Sequence, residues 1–89
     1  MPTVEFARSL TRHLACPAQR VAADTLRAAL DAAFSAVPEL RAYVLDDQGA
    51  VRKHVAVFVN AQQIASRVDL DISLQKEDKV MVIQALTGG

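Results

Sequence analysis

Apolar and polar positions alternate at the start of the chain. Val4 and Phe6 fall on one side of Thr3 to Ala7 and Thr3 and Glu5 on the other, the period of a strand covered on one face. Ser9 to Pro17 is mixed and contains a proline, so a turn is expected there, unless a second strand already begins at His13-Leu14. Gln19 to Ala22 reads as that short second strand, in a hairpin with the first. The period then changes. Leu26, Ala29, Leu30, Ala33, Phe34 and Val37 recur at three- and four-residue spacing and form the apolar stripe of a helix. Asp24 or Thr25 can cap its start by accepting a bond from an unpaired first-turn N–H, and Pro38 ends it near Ala36.

Beyond Pro38 the pattern predicts three more strands. Tyr43-Val44-Leu45 reads as the third strand and Asp46 to Gly49 as a turn. The stretch from Val51 to Val59 follows, with Val55, Val57 and Val59 on one face and His54, Ala56 and Phe58 on the other. Asn60-Ala61 is a tight turn of the Asn-Gly kind. From Gln62 to Asp71 the pattern is less regular, and Ile64, Val68, Leu70, Ile72 and Leu74 suit a short edge strand, a helical turn and loop anchors. Lys76 to Lys79 is a charged turn, and Lys79 to Gln84 is the last strand.

One amphipathic helix in this order must cover a sheet, which makes the chain α+β. A mixed sheet of four to five strands is expected, with the first and last strands parallel and side by side in its centre. Eighty-nine residues make one small domain.

Composition narrows the function classes. Lys plus Arg equals Asp plus Glu at 10 each, interspersed, and a sequence-independent grip on nucleic acid needs a basic face instead. Neither a basic-then-apolar leader nor an apolar run near the ~20 residues of a membrane span is present, so a cytoplasmic protein without membrane contact is expected. Cys16 is the lone cysteine, which excludes an internal disulfide and a cysteine-rich zinc site. With His13 three residues before it and Pro17 after it, Cys16 is a weak nucleophile signal beside the plainer reading of a packing residue. His13 and His54 show no metal-ligand spacing, and Asp46-Asp47 and Asp69/Asp71 sit among turn residues where acids are solvated. No catalytic or metal-binding residue is assigned.

The distinctive stretch is the end, Gln84-Ala85-Leu86-Thr87-Gly88-Gly89, which follows a strand directly and finishes on two residues without side chains. Glycine tolerates positive φ and close approach of another backbone, so such an arm suits a narrow tunnel in a partner. Three extended residues beyond Leu86 reach roughly 10 Å. The plain alternative is a frayed terminus.

Taken together, the strand and helix order, the runs His54 to Asn60 and Asp78 to Ile83, and the terminal Leu86-Thr87-Gly88-Gly89 resemble the ubiquitin-like sulfur-carrier family. That family includes the molybdopterin synthase small subunit and the thiamine and cysteine biosynthesis carriers. The resemblance covers essentially the whole chain and implies a β-grasp domain over 1–86 with a flexible arm over 87–89. It implies that Gly89 bears the adenylate and then the thiocarboxylate, and that Gly88, Thr87 and Leu86 thread the arm. A terminal carboxylate, with an ordinary pKa of about 3.3–3.7, is ionised and a poor electrophile at neutral pH, which is why activation is needed. The chain itself would bind no cofactor. ATP and a sulfur donor would be used by a ubiquitin-activating-like adenylyltransferase, a sulfur-accepting synthase would act downstream, and a metalloprotease would expose the glycines of any precursor.

The resemblance also implies docking on the uncovered sheet face. Phe58, Met81 and Ile83 are the candidates, because they alternate with the core valines. Ordinary core packing is their alternative, since a slip of one residue exchanges the faces. Two other functions stay open. A protein modifier would use the same terminus to acylate lysines, and a non-covalent binding module would leave its tail idle. The tail lacks ubiquitin's arginine, so conjugation is not carried over from ubiquitin itself.

Overall fold

The alternation at the start of the chain becomes strand β1, Thr3–Phe6, with Val4 and Phe6 buried. A computed structural model describes residues 1–7 and 18–84. Among them the elements continue as β2 (Gln19–Arg20), α1 (Leu26–Ala36), α2 (Leu40–Val44), β3 (Val55–Val59), β4 (Gln62–Gln63) and β5 (Lys79–Gln84). The strands form one mixed sheet in the order β2-β1-β5-β3-β4. β1 and β5 are parallel, from Thr3 opposite Lys79 to Phe6 opposite Val82. β3 runs antiparallel to β5 on its other side, from Val55 opposite Gln84 to Val59 opposite Val80. The first and last strands are therefore central neighbours, as the pattern predicts.

The core lies between the sheet and α1. Leu26, Ala29, Leu30, Ala33 and Phe34 form the buried stripe of the helix. They meet Val4, Phe6, Val55, Val57, Val80 and Val82 from the sheet. Each such Leu, Val or Phe removed from water contributes about 1.5–3 kcal/mol. Phe6 and Phe34 tie sheet to helix directly, with ring centroids 6.4 Å apart in a tilted pair. The cap falls on Thr25, whose extended backbone lets its hydroxyl oxygen accept from the Ala28 N–H at 3.2 Å. The next orphan donors are satisfied from far along the chain. Leu26 N–H donates to the Ile72 carbonyl at 2.8 Å and Arg27 N–H to that of Leu70 at 2.9 Å. The 70–74 segment thus straps the helix start, with Leu70 and Leu74 as its buried anchors.

Two expectations need correction. Tyr43-Val44-Leu45 is not a third strand, and a second, short helix stands there. Leu40–Val44 is the short helix α2, in which Leu40 and Val44, four residues apart, are both fully buried while Tyr43 is exposed. Burying that pair on one helical face outweighs the strand preference of Tyr and Val, which is itself mostly a packing preference. Only Leu45 keeps extended pairing, in a single bridge to Val51. The second is Val68, expected among the anchors but 70% exposed. Elsewhere the ladders are shorter than the runs suggest: β2 stops at Arg20, and β3 begins at Val55, after a turn through Lys53-His54. The expected turn over Ser9 to Pro17, the alternative strand start at His13-Leu14, and the boundary between domain and arm lie outside the described residues.

Turn chemistry fixes the remaining register. Asn60 and Ala61 both have positive φ, 51° and 69°, between the paired Val59 and Gln62, the two-residue hairpin loop that prefers Asn-Gly. Asn60 also ties this hairpin to the start of β5. Its side-chain amide donates to Asp78 Oδ1 at 2.7 Å, and its side-chain oxygen accepts the Lys79 N–H at 2.9 Å. Asp78 Oδ2 accepts the Gln75 N–H at 2.7 Å. These bonds to the charged form hold the Asp78 carboxyl below its ordinary pKa, the Gln75 N–H foremost and the Asn60 amide second.

Ala61→Gly removes the penalty of a Cβ at positive φ and is expected to stabilise the chain by about 0.5–1 kcal/mol in chemical denaturation. A destabilised variant would refute the strain assigned to this turn. Because the folded-state pKa of Asp78 lies below its unfolded value, its contribution is present above that unfolded value and is lost as pH falls through the folded one. Asp78→Asn should therefore lower stability at neutral pH and reduce the loss on acidification below about pH 4. Parallel pH–stability curves for the two proteins would contradict this.

Candidate functional site

The chain leaves the described structure at Gln84, the last residue of the strand in the middle of the sheet. β5 is held at both ends: Thr3 N–H donates to the Asp78 carbonyl at 3.0 Å, and Ala7 N–H donates to the Val82 carbonyl at 2.8 Å. On the other flank Asn60 N–H donates to the Lys79 carbonyl at 2.8 Å. Ladders on two sides fix the position and direction of β5 as far as Gln84. Leu86, Thr87, Gly88 and Gly89 lie outside the described residues.

The face turned away from the core brings together the three residues proposed for docking. Phe58 lies directly opposite Met81 across the β3/β5 ladder, and Ile83 lies opposite Ala56. Phe58, Met81 and Ile83 are half-buried, whereas the alternating Val57, Val80 and Val82 are fully buried. None of the three belongs to the core cluster, so the valines and not these residues face α1. Ala56 is buried yet also outside that cluster. Glu5 borders the apolar strip through its pairing with Met81, and Gln63 through its pairing with Phe58. The strip runs along β5 toward Gln84, so a body seated on it would also meet the root of the arm.

The other candidates have structural roles where they are described. Asp46 Oδ1 accepts the N–H groups of Gln48 at 2.9 Å and Ala50 at 3.0 Å, closing a turn in which Gly49 takes φ +82°. Those two bonds, Ala50's first, and the nearby Arg52 and Arg67 hold its carboxyl below the ordinary value. Asp69 accepts the Asp71 N–H at 3.3 Å, and Asp71 faces Arg27 at 3.9 Å. Among the described residues no group of His, Cys, Asp and Glu is placed to hold a metal. His54 is exposed in the turn before β3. Cys16 and His13 lie outside the described residues.

The pattern missed one assembly. Arg52, Lys53, His54 and Arg67 surround a depression of about 400 Å³ that also includes Asp46. A second depression, of about 210 Å³, shares Arg52 and His54 with the first and reaches Tyr43, Val55 and Gln84. The run Arg52-Lys53-His54 was visible as a short basic stretch. Arg67 joins it only because Val51 N–H donates to the Arg67 carbonyl and Arg67 Nη1 donates to that of Val51.

A helix-covered mixed sheet with parallel terminal strands at its centre defines a ubiquitin-like β-grasp protein. Solved structures share the whole fold. SAMP1 from Haloferax volcanii superposes with a TM-score of 0.75 at 24% identity, over 99% of this chain and 98% of that one. CysO from Mycobacterium tuberculosis superposes at 0.77 and 19%, over 97% and 100%. The Amycolatopsis orientalis BexX/CysO complex matches at 0.76 and 17%, over the full length of both chains. No curated protein matches in sequence. The model of the ThiS family matches residues 11–89, and the chain belongs to that family of ubiquitin-like sulfur carriers. Small proteins of this kind are carriers rather than enzymes. Among the described residues no helix is long and apolar enough to cross a membrane.

Core and outer face should separate in stability. Leu30→Ala, at a fully buried position, is expected to cost about 2–5 kcal/mol. Phe58→Ala should cost about 1 kcal/mol or less, the worth of a cross-strand pair. Comparable losses in urea unfolding would place Phe58 in the core and remove it as a docking residue.

Proposed function

We propose that this chain carries sulfur on the Gly89 carboxylate. The observation that carries the reading is positional: in a chain of this family, Gly88-Gly89 follows within five positions of Gln84, the end of the central strand. A carboxylate oxygen of Gly89 attacks the α-phosphorus of ATP in the active site of an adenylyltransferase, and pyrophosphate leaves. The acyl-adenylate now has a good leaving group. Sulfide from a donor adds to the carbonyl carbon, the bond to AMP breaks, and a thiocarboxylate remains at the chain end. This sulfur nucleophile is delivered to a cytoplasmic synthase that makes a cofactor, cysteine or a related metabolite.

The folded body supplies position rather than catalysis in this cycle. Gly88 leaves room for the arm to thread, with Thr87 and Leu86 contacting the tunnel walls through backbone and shape. Phe58, Met81 and Ile83 form the surface on which the adenylyltransferase and the synthase seat in turn. A metalloprotease enters only where a precursor extends beyond Gly89.

A second reading has its own support, since three of the structural neighbours are structures of SAMP1, small archaeal modifier protein 1. In that reading a lysine amine, rather than sulfide, attacks the same acyl-adenylate, and an isopeptide bond forms.

Intact-mass spectrometry after incubation with the adenylating enzyme of the same organism, ATP and sulfide separates the readings. Exchange of one oxygen for sulfur, localised to Gly89 by sequencing the terminal peptide, is the expected result, and a chain lacking Gly89 should stay unmodified. Lysine adducts would favour the modifier. With a demonstrably active enzyme, an unmodified Gly89 would overturn both covalent readings.

A further inference from the structure

We propose that the surface formed by Arg52, Lys53, His54 and Arg67 docks an acidic patch on the adenylating partner, an inference that rests on the sulfur-carrier reading above. Its location is the first argument. The two contiguous depressions meet at Arg52 and His54, and Gln84 lines one of them. Gly89 follows Gln84 by five residues, so a fully extended arm spans at most roughly 18 Å. Any enzyme that takes Gly89 into its active site must therefore come close to this surface.

Charge is the second argument. The chain as a whole carries no net charge, yet Arg52, Lys53 and Arg67 converge here, and among the described residues Asp46 is the one carboxylate that lines the depression. Asp46 directs Oδ1 at two backbone N–H groups of its own turn. Among the described residues the ion pairs within 4.0 Å are Met1 with Glu77 and Arg27 with Asp71, so none of the three cations here is in such a pair, and Asp46 interacts with Arg52 and Arg67 only at longer range.

The cations are also oriented in advance. Arg52 Nε donates to the Ala42 carbonyl at 2.8 Å and Arg67 Nη1 to the Val51 carbonyl at 3.3 Å. A guanidinium has five N–H donors, so each remains able to take a carboxylate while one bond fixes its plane. Less side-chain entropy is then lost on docking. Tyr43, 38% exposed, lines the depression beside Gln84, and Tyr and Arg are both enriched among the residues that carry binding energy at protein interfaces. Three cations on a neutral chain are a poor grip for a nucleic-acid backbone, which takes a larger basic footprint.

The test is the rate of ATP-dependent adenylation of the full-length chain by the adenylating enzyme of its organism, measured against carrier concentration and salt. For the unmodified chain kcat/KM should fall steadily as salt rises. The variant combining Lys53→Glu and Arg67→Gln should raise KM for the carrier about tenfold, at the lower end of electrostatic steering effects, retain kcat and lose most of the salt dependence. Lys76→Glu, on the loop before β5 and away from this surface, should leave KM unchanged. Should the double variant fail to fold by circular dichroism, the salt series on the unmodified chain decides alone. A wild-type chain that is adenylated with a salt-independent kcat/KM overturns the proposal and leaves the carrier reading intact. So does a folded double variant with wild-type KM, or RNA binding that disappears in that variant. Absence of adenylation of the wild-type chain at every salt concentration overturns the carrier reading and this proposal with it.

Discussion

Hydrogen bonding of β5 on both of its edges is the constraint on which the rest of the molecule depends. β1 closes one edge in parallel and β3 closes the other in antiparallel. Parallel neighbours cannot be joined by a tight turn, so the chain between Phe6 and Lys79 has to include a crossover before it returns to the sheet's centre. That detour carries α1, α2, the edge hairpin and the strap. Several features serve to keep the central strand in place: the Asn60 and Asp78 bracket at its start, the Phe6/Phe34 contact that ties its neighbour β1 to α1, and the burial of Val80 and Val82 in the core. The central strand is thereby held in register as far as Gln84.

Alternation along β3 and β5 divides the labour between the two faces. Val57, Val80 and Val82 supply burial and so stability, while Phe58, Met81 and Ile83 lie on the reverse face, outside the core cluster. Apolar area that contributes little to the core remains free to contribute to association, the use proposed for it here. The chain needs no catalytic group for this. Its chemistry, in the function proposed, belongs to partners, and its own task is to place one carboxylate at a fixed distance from a recognisable body. The cations beside Gln84 fit that economy, because a charged rim around the root of the arm orients a partner before the arm engages.

The legible parts of the fold were those with a local cause. The stripe from Leu26 to Phe34, the Thr25 cap, the stop at Pro38 and the alternation in β1, β3 and β5 each rest on periodicity or backbone chemistry within a few residues. Asn60-Ala61 was readable for the same reason, and both residues take the positive φ such a loop demands. The parts that were misread depend on distant partners. Tyr43-Val44-Leu45 has strand composition, but the burial of Leu40 and Val44 one turn apart decides for helix. Val68 lies outside in a stretch whose other apolar residues turn in, because the strap is positioned by Leu70 and Leu74 and by the carbonyls that cap α1. The proposed docking face was legible as an alternation, and its register was not.

By itself the sequence determined the helix, the strand periods, the single-domain scale, the electrical neutrality and the diglycine ending, since these are properties of residues and their near neighbours. Tertiary structure decided which side of each strand faces the core, because alternation is unchanged when both faces are exchanged and only packing against α1 breaks that symmetry. It also decided that Arg67 joins Arg52 and Lys53 beside Gln84, an encounter made by one backbone bond and one side-chain-to-backbone bond between Val51 and Arg67 across 16 positions of chain.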